Sequence, residues 1–196
     1  KAMARRFAQE NGTRYENLNL IIAHMGGGIS VAAHKNGRVI DVNNAVDGDG
    51  PFSPERSGTL PTGQLAELCF SGKYSLNEVK KMLNGKGGLI AHLGINEAHV
   101  AVQRIKDGDK QAEAVMNAMV YNIAKEIGAM SVVLEGNIDA IILTGGIAHN
   151  EYVIDHLKPM ISFIAPIKIY PGEDEMSALA MTGLRVLRGE ACQLYE

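Results

Sequence analysis

Cysteine is scarce in this chain. Only Cys69 and Cys192 occur among its 196 residues. They stand far apart and at no metal-ligand spacing, which excludes a cysteine-held zinc or iron–sulfur centre. Two free thiols in a reducing, cytoplasmic compartment are expected instead. A block of basic charge is missing too. The 19 Lys and Arg against 22 Asp and Glu give a net charge of −3, and Arg5–Arg6 is the nearest approach to a cluster. A nucleic-acid duplex is therefore not an expected partner. No apolar run reaches membrane-spanning length, so no membrane association is expected either. The zinc spacing His-Glu-x-x-His, the Gly-x-Ser-x-Gly elbow and the Gly-x-x-x-x-Gly-Lys-Ser/Thr loop are all absent. His34, His92, His99, His149 and His156 share no ligand spacing. There is no internal repeat, no low-complexity segment and no linker. The opening stretch KAMARRFAQENG reads as an amphipathic helix inside a protein rather than a signal peptide. With Lys1 where an initiator methionine would stand, the chain is expected to lack its natural beginning.

Glycine, in contrast, is abundant and clustered: 22 residues, three of them consecutive in AHMGGGISVAAH at 23–34. A hairpin needs only one or two residues that tolerate positive φ, so the third glycine and the neighbouring His24 call for a reason. Apolar content of 46% and charged content of 21% are ordinary for a globular protein, and the length suits one domain. A helix is expected over 2–11, stopped by Gly12. Leu18–His24 is apolar on both faces and predicts a central strand. Ser30–Lys35 and Arg38–Asn43 flank Asn36-Gly37, a strong hairpin signal, and complete a three-stranded meander. A Gly- and Pro-rich loop covers 47–61. Thr62–Phe70 and a segment opened by the capping box Ser75-Leu-Asn-Glu78 are helical. The longest helix spans Asp109–Met130, where Ala112, Val115, Met116, Met119, Val120, Ile123 and Ile127 form one apolar face. This face suits the core or an interface between subunits. The end alternates: strand Asp139–Leu143, turn 144–146, helix Asn150–Met160, strand Ala165–Tyr170, helix Met176–Arg188. The βαβα order implies parallel strands. The fold class is therefore α/β, a mixed sheet with a βββ meander, a helical insert over 61–130, and βαβα.

Four stretches can carry chemistry. His24-Met-Gly-Gly-Gly-Ile-Ser30 can aim the amides of Gly26, Gly27 and Gly28 into a concavity that takes phosphate oxygens, or can be a tight hairpin. Thr144-Gly-Gly-Ile-Ala-His-Asn150 lies where a buried parallel strand meets a helix, the place ligands occupy in open α/β sheets, or is an ordinary turn. Arg56, flanked by Ser53 and Ser57 in a Gly/Pro loop, can hold a phosphate or carboxylate, or be a surface arginine. Gly172-Glu-Asp-Glu175 suits a helix start, and could also reach Mg²⁺.

Together these motifs resemble the butyrate kinase branch of the acetate kinase group, within the acetate and sugar kinase/Hsp70/actin superfamily. The stretch from LIIAHMGGGIS to SPERSG, then LTGGIAHN, then YPGEDEM carry the likeness, in order and through nearly all of the chain. The resemblance implies an actin-like ATPase (ribonuclease H-like) fold. It implies contacts from His24, Gly26, Gly27 and Gly28 to nucleotide phosphates, from Gly145, Gly146 and Asn150 to adenosine, from Arg56 to an acyl phosphate, and from Glu175 to Mg²⁺. Two departures favour this branch over acetate kinase itself: Gly27 replaces an Asn of the phosphate motif, and Ala148-His149 replaces a Gly-Glu. A first phosphate motif, a further histidine and most of the acyl pocket would lie in an N-terminal domain outside this chain, which is expected to be inactive alone. The implied reaction moves the γ-phosphoryl of ATP reversibly to butyrate or a branched short-chain acid, giving an acyl phosphate and ADP. A homodimer or higher oligomer is also implied. A non-catalytic actin-fold nucleotide-binding module would keep both glycine turns and need no loop arginine, so Arg56 discriminates between the two.

Overall fold

The computed structural model describes residues 1–172, 179–180, 183–184 and 186–189. The expected metal ligand Glu175 lies outside them, as does much of the expected last helix. A five-stranded mixed sheet runs in the order β3-β2-β1-β4-β5, with β1 Asn19–Met25, β2 Ile29–Lys35, β3 Arg38–Val42, β4 Ala140–Gly145 and β5 Ile167–Pro171. The meander pairs antiparallel, and β1–β4 and β4–β5 pair parallel. β1 is central, as its two apolar faces require. Asn36 and Gly37 turn the second hairpin with φ of 50° and 79°, the positive values an Asn-Gly pair supplies most readily.

The alternation of strand side chains divides the core in two. Ile21, Ala23, Met25, Ile141 and Leu143 face one side. There they meet α6 (Lys110–Val133) and α7 (Glu151–Ile161) through Met116, Met119, Ile123, Val153 and Leu157. Leu20, Ile22, Ala140, Ile142 and Tyr170 face the other side, under Ala4 and Ala8 of α1 (Ala2–Glu10). The apolar face of α6 is thus internal core, and it is not left open as a subunit interface. Asp109 caps α6, accepting from the amides of Gln111 and Ala112 at 3.0 Å each.

The insert holds α2 (Thr62–Phe70) and α3 (Leu76–Leu83), the latter with the expected Ser75–Glu78 capping box. Two further helices lie over 84–108, where the sequence pattern had yielded none: α4 (Gly88–Leu93) and α5 (Ala98–Lys106). Ala98, Ala101, Val102 and Ile105 do recur at helical spacing there, too briefly to stand out between glycines. No helix of the described residues is long and apolar enough to cross a membrane.

Beneath the outer end of β2, His34 is buried at 3% exposure with its Nδ1 2.7 Å from the Tyr15 hydroxyl. Burial pushes its pKa from 6.5 down to about 4. The unfolded chain therefore takes up the proton first as the pH falls. The contribution to stability is complete above about pH 6.5 and is lost towards pH 4, by about 3 kcal/mol in all. Urea unfolding across this window should show that loss, and His34→Gln should flatten the dependence.

Candidate functional site

The first glycine turn closes between Met25 and Ile29, which pair directly, and the Gly26 amide donates to the Gly28 carbonyl at 3.0 Å. That amide is spent inside the hairpin and does not join a row of three facing a ligand. Gly26, Gly27 and Gly28 all lie outside the left-handed region. What the turn uses is space. A Cβ on Gly28 would overlap the guanidinium of Arg56, which lies against it, whereas one on Gly27 would make an ordinary 3.8 Å contact with Glu55.

Arg56 reaches this position because its loop is fastened to the hairpin. Ser53 is fully buried. Its hydroxyl donates to the Gly27 carbonyl at 2.7 Å and accepts from the Arg56 amide at 3.2 Å. Asn43, buried just beyond β3, ties the start of the loop down: its Oδ1 accepts from Val31 N at 2.7 Å, and its Nδ2 donates to the Ile29 and Asp49 carbonyls at 3.2 and 3.1 Å. The Ser57 hydroxyl donates to the Gly58 carbonyl. The two serines beside Arg56 thus serve the loop's own structure. The Arg56 guanidinium is half-buried and has neither a hydrogen bond nor an ion pair with any described residue. A cation held against backbone without a counter-charge is a binding group for an anion.

His24, the last residue but one of β1, is in register with Ser30 on one side and Thr144 on the other. It is part-exposed at the carboxyl edge of the sheet. There the second glycine turn begins. Gly145 has φ 92° and ψ 174°, a conformation essentially reserved for glycine. A Cβ on it would also strike the Met25 backbone, with the carbonyl carbon at 2.7 Å. Gly145 and Gly172 exchange main-chain hydrogen bonds at 3.2 and 3.0 Å. The two glycine turns are therefore in contact.

Gly146 opens a short 3-10 turn through His149, and beyond its chain neighbours no described residue comes within 4 Å of where its Cβ would be. It lines a cleft of about 770 Å³ between this turn and α5, with Val102, Gln103, Lys106, His149 and Asn150. The Asn150 side-chain oxygen caps α7, accepting from Val153 N at 3.3 Å, so only its amide group is left for a ligand. The α5 wall was not anticipated. The interior latches Ser53 and Asn43 have no sequence signal, since their partners are distant main-chain groups. Among the described residues, no group of three or more His, Cys, Asp or Glu could hold a metal ion.

The acetokinase family model matches residues 1–168. The chain belongs to the acetokinase family. A probable butyrate kinase of Bacteroides thetaiotaomicron is 56% identical over 197 residues, covering 100% of this chain and 56% of that protein. Butyrate kinase 1 of Clostridium acetobutylicum is 56% identical over 190 residues, covering 97% and 54% respectively. An acetokinase-family chain of this size thus spans about half the length of the curated relatives it matches. The crystal structure of Porphyromonas gingivalis acetate kinase superposes with a TM-score of 0.82 at 24% identity, over 93% of this chain and 53% of that one. The fold is accordingly that of the actin-like ATPases.

The two glycines of the second turn should separate experimentally. Gly145→Ala is expected to cost about 3 kcal/mol of stability through forbidden φ and the collision with Met25. Gly146→Ala, facing open space, should stay within about 0.5 kcal/mol of the parent. Urea denaturation of the two variants checks both.

Proposed function

We propose that this chain is the nucleotide-binding half of a carboxylate kinase that passes the γ-phosphoryl of ATP reversibly to butyrate or a branched short-chain acid. The observation that carries the reading is the Arg56 guanidinium lying against Gly28 with no counter-charge among the described residues, on the sheet edge that also carries the cleft. The butyrate kinase names of relatives 56% identical support the substrate class. The cleft has the volume of a small-molecule site. Its glycine wall at Gly146 lets a flat base or ribose approach the main chain. From there the Gly145–Met25 contact leads to the hairpin, so adenosine in the cleft would direct its phosphates towards His24, Gly27, Gly28 and Arg56.

A short-chain carboxylate is ionised at neutral pH and needs no base. Its oxygen attacks the γ-phosphorus, the bond to the β–γ bridging oxygen breaks, and ADP leaves with that electron pair. Transfer of this kind depends on positioning and on stabilising charge over the equatorial oxygens. Arg56 supplies a planar fork of donors to those oxygens or to the acyl phosphate, and His24 adds a donor at the strand end. Mg²⁺, when bound, would neutralise charge on the β and γ oxygens. Such an ion would need only one or two protein carboxylates beside phosphate and water. Glu175 remains the proposed protein ligand.

The test is acyl phosphate formation by the full-length protein from butyrate and Mg-ATP, trapped as the hydroxamate. Arg56→Lys, which keeps the charge and loses the fork, should lower kcat by about 10²–10³-fold, as loss of a preorganised donor does. Unchanged turnover in that variant would refute the role. ATP binding without any hydroxamate would instead point to a non-catalytic nucleotide module. Calorimetry supplies a separate check on the cleft: Gly146→Val should abolish Mg-ATP binding with an unaltered thermal melt.

A further inference from the structure

We propose that Ser53 is the positioning residue that sets the Arg56 guanidinium against the glycine hairpin, and that it influences phosphoryl transfer only through Arg56. The proposal rests on the carboxylate-kinase reading of Arg56. The Ser53 hydroxyl uses its donor on one side of the site and its acceptor on the other. It donates to the Gly27 carbonyl at 2.7 Å and accepts from the Arg56 amide at 3.2 Å. One buried oxygen therefore joins the residue before Gly28 to the residue whose side chain lies over Gly28. The Ser53 amide returns to the Arg56 carbonyl at 3.0 Å and closes the turn.

The far side of this loop is secured differently. Gly85 and Gly87 amides donate to the Glu55 carbonyl at 2.8 and 3.1 Å. Leu89 donates to the Ser53 carbonyl and Ile90 to the Pro54 carbonyl, both at 3.1 Å, and Ser57 donates to the Leu83 carbonyl at 2.9 Å. None of these bonds uses the Ser53 side chain. Towards the hairpin, by contrast, the described residues offer two links: the Ser53 hydroxyl and a longer bond, 3.3 Å, from the Glu55 amide to the same Gly27 carbonyl. Gly27 itself is exposed, so water can satisfy its carbonyl once the hydroxyl is gone. Removing the hydroxyl thus leaves the loop folded on the 83–90 segment and weakens its hold beside Gly28, which then rests on the longer Glu55–Gly27 bond. The effect falls on where Arg56 sits, and much less on whether the domain folds.

A double-mutant cycle in the full-length protein tests this, with Ser53→Ala, Arg56→Ala and the pair assayed for hydroxamate formation. Ser53→Ala should lower kcat about 30-fold, the scale of a small misplacement of a reacting group, with the nucleotide KM unchanged. In the Arg56→Ala background it should add no further loss. A second readout needs no turnover: the Arg56 side-chain Nε–H signal in ¹⁵N NMR, assigned by its disappearance in Arg56→Ala, should shift in Ser53→Ala. The proposal is overturned by wild-type kcat in Ser53→Ala. The same 30-fold loss persisting without Arg56, or an unmoved Nε signal, would overturn it equally. If Arg56→Ala alone keeps wild-type kcat, the kinase role of Arg56 falls instead, and the Nε signal decides whether Ser53 still places the guanidinium.

Discussion

Parallel pairing of β1 with β4 is the constraint on which the rest of the molecule depends. It sets His24 beside Thr144 and carries both strands to the same carboxyl edge. Past that edge the main chain of Gly145 runs against the main chain of Met25, an approach closer than any side chain would permit. The hairpin that follows β1 and the turn that follows β4 are consequently neighbours. A ligand seated beside one has to meet the other. The arginine loop then adds a third wall, fixed to the glycine turn by Ser53 and to β2 by Asn43.

Energetic roles are divided cleanly between interior and edge. The stability of the domain lies in the two apolar layers, in the α6 cap and in buried pairs such as Tyr15 with His34. The edge contributes little to it, and there the Arg56 guanidinium has no counter-charge among the described residues. A half-buried guanidinium with no partner among the described residues is a costly arrangement that an anion bound there would relieve. That is preorganisation in its usual electrostatic form. The His34 titration, on the opposite side of the sheet from α6, concerns folding alone.

The parts of the fold that the sequence disclosed are those whose causes are local. Asn36-Gly37 names its own turn, Ser75 and Glu78 their own cap, and the period of 112–127 its own buried face. The glycine turns stood out as candidate sites for the same reason, since Gly-Gly between a β-run and a helix is a local anomaly. Arg56 stood out because it is set among glycines, prolines and serines. What stayed hidden depends on the tertiary meeting of distant segments. Ser53 read only as a neighbour of Arg56 and is a fastener, because its partner, the carbonyl of Gly27, is brought near only by the closed sheet. Gly28 looked like open space for a ligand, and that space is filled by the arginine. α5 was missed because four small or branched apolar residues between two glycine-bounded segments make a weak periodic signal, although they form the opposite wall of the cleft.

The pairing of β1 with β4 also orders the assembly of the domain in time. The meander is local and needs only short turns to form. Asn19 and Asp139, which bond at the start of the β1–β4 seam, are 120 residues apart. Closing a loop of that length costs about 4 kcal/mol of chain entropy before any contact across it is gained. The seam is therefore the entropically costliest pairing of the sheet. The edge beyond the seam, where Met25 and Gly145 touch, comes into being only with that pairing. A nascent or partly unfolded chain can hold the glycine hairpin intact and still present no site, so ligand binding reports on the completed fold and not on any part of it.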